Sequence, residues 1–155
     1  MNINKEIERT WRLSNLPLFP KNVIRVHLEQ IYTKDGLRWR RITNSLGDIH
    51  FEVIKKKYDA GVAYEQIIKK NLTDWPENLL DIPVIRKWRW FYEISSLSFQ
   101  IDHLYELGIY LLDVEIPSLD TIIDFPSWLL PVLGEEVTNN VNWSNKSLAI
   151  NGIPE

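Results

Sequence analysis

The sequence predicts a mostly β protein with flanking helices, built as an antiparallel sheet or barrel. Three observations predict it. Runs of alternating polar and apolar residues recur at hairpin spacing along the chain. Turn signals such as Lys34-Asp35-Gly36 separate them. Aromatic residues make up 12% of the chain and include seven Trp, a composition that suits strands.

Residues 3–13 alternate, with Glu6, Glu8 and Thr10 on one parity and Ile7, Arg9, Trp11 and Leu13 on the other. Pro17 and Pro20 break this run. Residues 22–33, rich in Val, Ile and Tyr, form the second expected strand. The third, 37–43, puts Arg38 and Arg40 on one face and Trp39 and Arg41 on the other. Gly47 turns the chain into a fourth, 49–58, where Phe51, Val53 and Lys55 share a parity. Gly61 to Asn71 reads both ways: Tyr64, Ile67 and Ile68 have helical spacing, yet the stretch also opens as a strand. Residues 84–94 alternate strictly, Lys87, Arg89 and Phe91 against Trp88, Trp90 and Tyr92. Strands at 98–104 and 109–116 follow. Ser118 to Asp124 is expected to be a short helix with Ser118 as N-cap, and Asn142 to Gly152 another. This makes seven or eight strands, in a single domain over residues 1–155.

Composition narrows the function. The net charge of -3 gives no whole-protein attraction to nucleic acid or anionic membrane. There is no cysteine, so disulfides, Cys-zinc sites and thiol catalysis are excluded. No apolar run approaches the ~20 residues of a membrane helix. A cytoplasmic protein, monomer or homodimer, is expected. His27, His50 and His103 lack metal-ligand spacing, and there is no Gly-rich phosphate loop.

The charges are sorted by strand. Acids pair at Glu6/Glu8 and at Asp113/Glu115, and residues two apart in a strand share a face. Two such strands side by side gather four carboxylates, which a hard divalent cation would neutralise. Bases pair at Arg38/Arg40 and Lys87/Arg89, with Lys55 between them in sequence. A solvated face usually interleaves the signs. Segregation fits a closed barrel with a charged lumen, acids on one wall and bases on another. A polyphosphate with its bridging cations suits such a lumen.

These motifs, in this order over nearly the whole chain, resemble the CYTH superfamily, the triphosphate tunnel metalloenzymes. Glu6-Ile7-Glu8-Arg9-Thr10-Trp11 stands at its Glu-x-Glu-x-Lys signature, and Arg38-Trp39-Arg40 at its Arg-x-Arg strand. Glu52-Val53-Ile54-Lys55 stands at Leu-Thr-Ile-Lys, and Lys87-Trp88-Arg89-Trp90 at Lys-x-Arg-Tyr. Phe99-Gln100-Ile101-Asp102 and Asp113-Val114-Glu115 match its two later acidic strands. Pro126-Ser127-Trp128, Gly134-Glu135-Glu136-Val137-Thr138 and Asn145-Lys146-Ser147-Leu148-Ala149 match its C-terminal elements.

The resemblance implies an eight-stranded antiparallel closed barrel forming a tunnel, with helices outside. Inside it a linear triphosphate is hydrolysed with Mg²⁺ or Mn²⁺. Carried over, Glu6, Glu8 and Glu115 are catalytic and, with Asp113, ligate the metal. Arg38, Arg40, Lys55, Lys87 and Arg89 bind the substrate, and Glu65 and Asp102 support them. Inorganic triphosphate is the expected substrate, with thiamine or nucleoside triphosphates as further candidates. A CYTH-type adenylate cyclase and a triphosphate-binding protein without turnover are the alternatives. Three departures weaken the phosphate clamp. Thr10 replaces the signature Lys. Ala63-Tyr64-Glu65-Gln66-Ile67 keeps only Glu65 of the family's Arg-x-Glu-x-Glu. Gln100 replaces an acid.

Overall fold

The computed structural model describes residues 3–70 and 72–155, with Lys69 and Lys70 described through their backbone only. Ten strands form one antiparallel sheet: β1 (Ile3–Glu6), β2 (Glu8–Leu13), β3 (Ile24–Tyr32), β4 (Leu37–Thr43), β5 (Ile49–Asp59), β6 (Val62–Lys70), β7 (Ile85–Ile94), β8 (Leu97–Leu104), β9 (Ile109–Glu115) and β10 (Leu133–Glu136). Their order is β1-β6-β5-β4-β3-β7-β8-β9-β2-β10. Seven or eight strands were expected, eight in a closed barrel; among the described residues there are ten, and the strand order runs from β1 to β10 without closing. The first expected strand is divided at Ile7, and β10 is an addition at the edge beyond β2. Gly134 fits this edge because a Cβ there would lie 2.7 Å from the Arg12 carbonyl oxygen.

The ambiguous stretch from Gly61 is a strand, β6, and Asn71 lies outside the described residues. Its pairing on both sides, to β5 and β1, overrides the helical spacing of Tyr64, Ile67 and Ile68. The helix expected at 118–124 is instead a hydrogen-bonded turn followed by irregular chain. The Ser118 hydroxyl donates to Asp120 Oδ1 at 2.6 Å instead of capping a helix. Thr121, Ile122 and Ile123 are β-branched, and Pro126 disfavours helical backbone at Phe125. The C-terminal helix is present as α1 (Asn145–Asn151), with Ser144 accepting from the Ser147 N–H and Gly152 ending it at φ +73°.

In β2, β8 and β9 the side chains of Glu8, Asp102, Asp113 and Glu115 take the parity opposite to Trp11, Phe99 and Leu112. The apolar faces of β2, β8 and β9 place Trp11, Leu13, Phe99, Ile101, Leu112 and Val114 in the main core. Loop segments cover it, through Phe19, Phe125, Trp128 and the fully buried Leu129. Burying one such side chain is worth about 2 kcal/mol. Trp90, on the same side, stacks on Phe19 at 4.9 Å. A loop residue covers Trp90, while Trp88 is flanked by Arg25 and His27 of β3. Phe51 and Val53 of β5 are buried on this side too, Phe51 edge-on to Trp75. A second core gathers Ile85, Leu104 and Leu111 around Leu148 of α1. These three share the parity of the charged groups, so α1 caps one end of the charged face.

Candidate triphosphate and metal site

The register sets the charged face. Glu8 lies opposite Glu115 and Thr10 opposite Asp113. Arg89 lies opposite Asp102, and Gln100 opposite Asp113. Gln30 faces Arg40, Lys56 faces Glu65, and Glu6 faces Ala63. Sequence-distant acids and bases thus share one side of the sheet.

Glu6, Glu8 and Glu115 form an acidic cluster, with one carboxylate oxygen of each within 4.8 Å of the others. Burial and the neighbouring Glu8 push the Glu6 carboxyl up to about 9. Its hydrogen bond with Glu65 holds the proton on Glu6, and Glu65 lies below its ordinary value. The Gln100 amide donates to Glu115 Oε1 at 2.7 Å, where the family's usual acid would have added a charge. Asp113 stands apart from the three. It accepts from the Thr10 hydroxyl at 2.6 Å and lies 3.7 Å from the Arg89 guanidinium. Burial and Glu8 raise its carboxyl to about 7.

The basic groups occupy β4 and β7. Arg89 grips Asp102 through Nε and Nη2, and Lys87 Nζ lies 2.8 Å from Asp102 Oδ2. Lys87 also donates to Asn145 Oδ1 of α1 at 2.9 Å, which ties the helix to the charged face. Burial opposes the charge on Asp102, but the two cations outweigh it and hold the carboxyl well below its ordinary range. Burial and Arg89 lower Lys87 to about 7. Arg40 donates to Gln30 Oε1 at 2.9 Å. Burial and Arg38 lower it to about 9. Among the described residues, Arg38 Nε is the buried side-chain polar atom without a hydrogen-bond partner. The basic wall therefore carries more positive charge than its own carboxylates answer.

Lys55 does not join it. The side chain is exposed and shares the outer parity of Phe51 and Val53. Lys56 takes the inner position instead, with Nζ 3.2 Å from Glu65, 3.6 Å from Glu6 and 3.9 Å from Glu8. The signal was available: Lys55 alternates with two large apolar residues, which belong on a packed outer face. Asn145 and Gln30 were also missed, because neutral amides carry no charge pattern to read.

No family model matches the chain, and no curated protein matches it in sequence. Solved structures do. The crystal structure of the hypothetical protein NE1496 is 26% identical with a TM-score of 0.61, over 96% of this chain and 99% of that one. The crystal structure of the inorganic triphosphatase NE1496 is 25% identical with a TM-score of 0.59, over 97% of each chain. The ordered charged motifs and this likeness over nearly the full length of both molecules are consistent with the CYTH superfamily.

Proposed function

We propose that the protein is a metal-dependent triphosphatase that takes a linear triphosphate, inorganic triphosphate first, between its acidic and basic walls. The observation that carries this is the buried, unanswered Arg38 Nε beside Arg40. A buried donor without an acceptor costs about 1–3 kcal/mol, so its retention speaks for an anion that completes it. A small multivalent anion meets Arg38, Arg40, Lys87 and Arg89 together. The likeness to an inorganic triphosphatase supports the same substrate.

The whole chain acts as one tunnel domain in this reading. β1 and β2 are separated by Ile7 alone, yet β1 pairs with β6 and β2 with β9. A sheet rolled up through Ile7 joins these distant pairings and encloses the charged face, with α1 stopping one end.

The donor set of Glu6, Glu8 and Glu115 fits a hard divalent ion, Mg²⁺ or Mn²⁺, being all oxygen and anionic. When bound, such an ion supplies charge neutralisation and an acidified water at the phosphorus under attack. The chain's own residues do the rest. Arg38, Arg40, Lys87 and Arg89 hold phosphate oxygens and answer the charge spread over the transferring phosphoryl group. Asp102 fixes Arg89 and Lys87 in place. Asp113, bonded to Thr10, lines the seam between the walls.

The test is phosphate release from inorganic triphosphate with Mg²⁺ and Mn²⁺, alongside thiamine triphosphate and ATP. Release that stops with a chelator is the expected result. Cyclic nucleotide and pyrophosphate from ATP, or tight triphosphate binding without product, would replace this reading with a cyclase or a binding protein.

A further inference from the structure

We propose that Lys56 is the resident counter-ion of the acidic cluster, and that a divalent ion must displace its ammonium to bind. This rests on the triphosphatase reading and adds a competition between an internal cation and the metal. Lys56 reaches the cluster from β5, across from β1 and β2. Its Nζ stands within salt-bridge range of Glu6 and Glu8, two of the three cluster carboxylates, and of Glu65 beside them. Among the described ion pairs, no other cation touches Glu6 or Glu8. The position from which the family's signature lysine would reach this region is Thr10, whose hydroxyl is spent on Asp113.

An ammonium and a divalent ion cannot share the same carboxylate oxygens without strong repulsion. Lysine suits displacement, being a point charge on a flexible four-carbon stem. It also has somewhere to go. Arg38 pairs with Ile54, two residues before Lys56 on the same face, so Arg38 and Lys56 are diagonal neighbours about 7–8 Å apart at Cα. An ammonium released from Glu6 and Glu8 therefore reaches the phosphate oxygens that Arg38 binds. Metal entry and phosphate capture are coupled through this one side chain.

The experiment is a calorimetric Mn²⁺ titration, without substrate, of the wild type, Lys56→Met and Lys56→Arg. Lys56→Met is expected to bind Mn²⁺ about tenfold more tightly than the wild type, and Lys56→Arg to stay within about threefold. Equal or weaker Mn²⁺ binding by Lys56→Met overturns the proposal. If Lys56→Met does not fold without metal, recovery of the fold on adding Mn²⁺ is the supporting result, and failure to recover overturns it. Inorganic triphosphate hydrolysis by the wild type separates the two levels. Metal-dependent hydrolysis with no gain in Lys56→Met removes the counter-ion role and leaves the triphosphatase. No Mn²⁺ binding and no hydrolysis by any of the proteins removes both.

Discussion

Arg89 and Asp102 face each other across the β7–β8 pair and form a two-point ion pair, Nε to Oδ1 at 2.7 Å and Nη2 to Oδ2 at 2.8 Å. Asp102 is 1% exposed, and the Lys87 ammonium that shares its Oδ2 is fully buried. Asp102 is thus the anchor of the basic wall. Asp102→Asn leaves two buried cations without their carboxylate and is expected to cost about 3–5 kcal/mol of stability. Glu136→Gln breaks the part-exposed pair with Arg9 and is expected to cost less than about 1 kcal/mol. Urea denaturation of both variants measures the contrast. Equal losses would mean that Asp102 is not the anchor.

Lys55 of β5 and Arg38 of β4 separate decoration from binding. Lys55→Ala is expected to change kcat/KM for inorganic triphosphate by less than about twofold, as a surface substitution away from the site does. Arg38→Ala removes a charge-assisted contact and is expected to lower it about 100-fold, near 3 kcal/mol. Steady-state kinetics decide. A large loss in Lys55→Ala would contradict its outward position.

How the sequence misplaced that lysine shows what it can convey. Strict alternation made β2, β4, β7 and β9 readable, and with them the acidic and basic pairs. Lys55 was placed by its match to the Leu-Thr-Ile-Lys strand, and charge could not choose between Lys55 and Lys56. Packing chose: Phe51 and Val53 must face the covered side, so Lys55 goes out with them. Glu65 was visible as a lone acid, but its ion pair with Lys56 appears only once β5 and β6 are in register. The break at Ile7 was hidden as well. Nothing in Glu6-Ile7-Glu8 marks a strand that pairs with β6 before it and β9 after it.

The acidic cluster predicts a second kinetic contrast. Glu8→Gln and Glu115→Gln each remove a ligand charge and keep the side-chain volume. Each is expected to lower metal-dependent hydrolysis at least about 100-fold. Asp113→Asn removes a carboxyl that is turned toward Thr10 and Arg89, and a smaller loss is expected there. Rates across a Mn²⁺ series test this ranking. Wild-type rates in Glu8→Gln would place the metal elsewhere.

Glu6 sets a pH dependence for metal binding. Its carboxyl is raised from 4.5 to about 9 by burial and the neighbouring Glu8. Between those two values the folded chain holds a proton that the unfolded chain has lost. Glu6 therefore contributes stability at low pH that is lost as pH rises toward 9. A divalent ion needs the ionised carboxylate and expels this proton, so its affinity climbs with pH over the same range. Lys87, lowered from 10.5 to about 7 by burial and Arg89, acts in the opposite sense: it adds stability as pH rises from 7 to 10.5. Its partners are Asp102 and Asn145, so its contribution largely cancels when melts with and without Mg²⁺ are subtracted. The Mg²⁺-induced rise in Tm is expected to grow from pH 6 through 7.5 to 9. A thermal melt series at fixed Mg²⁺ measures it. A rise that does not change with pH would mean that Glu6 keeps its proton when the ion binds, and that Glu8 and Glu115 hold the metal without it.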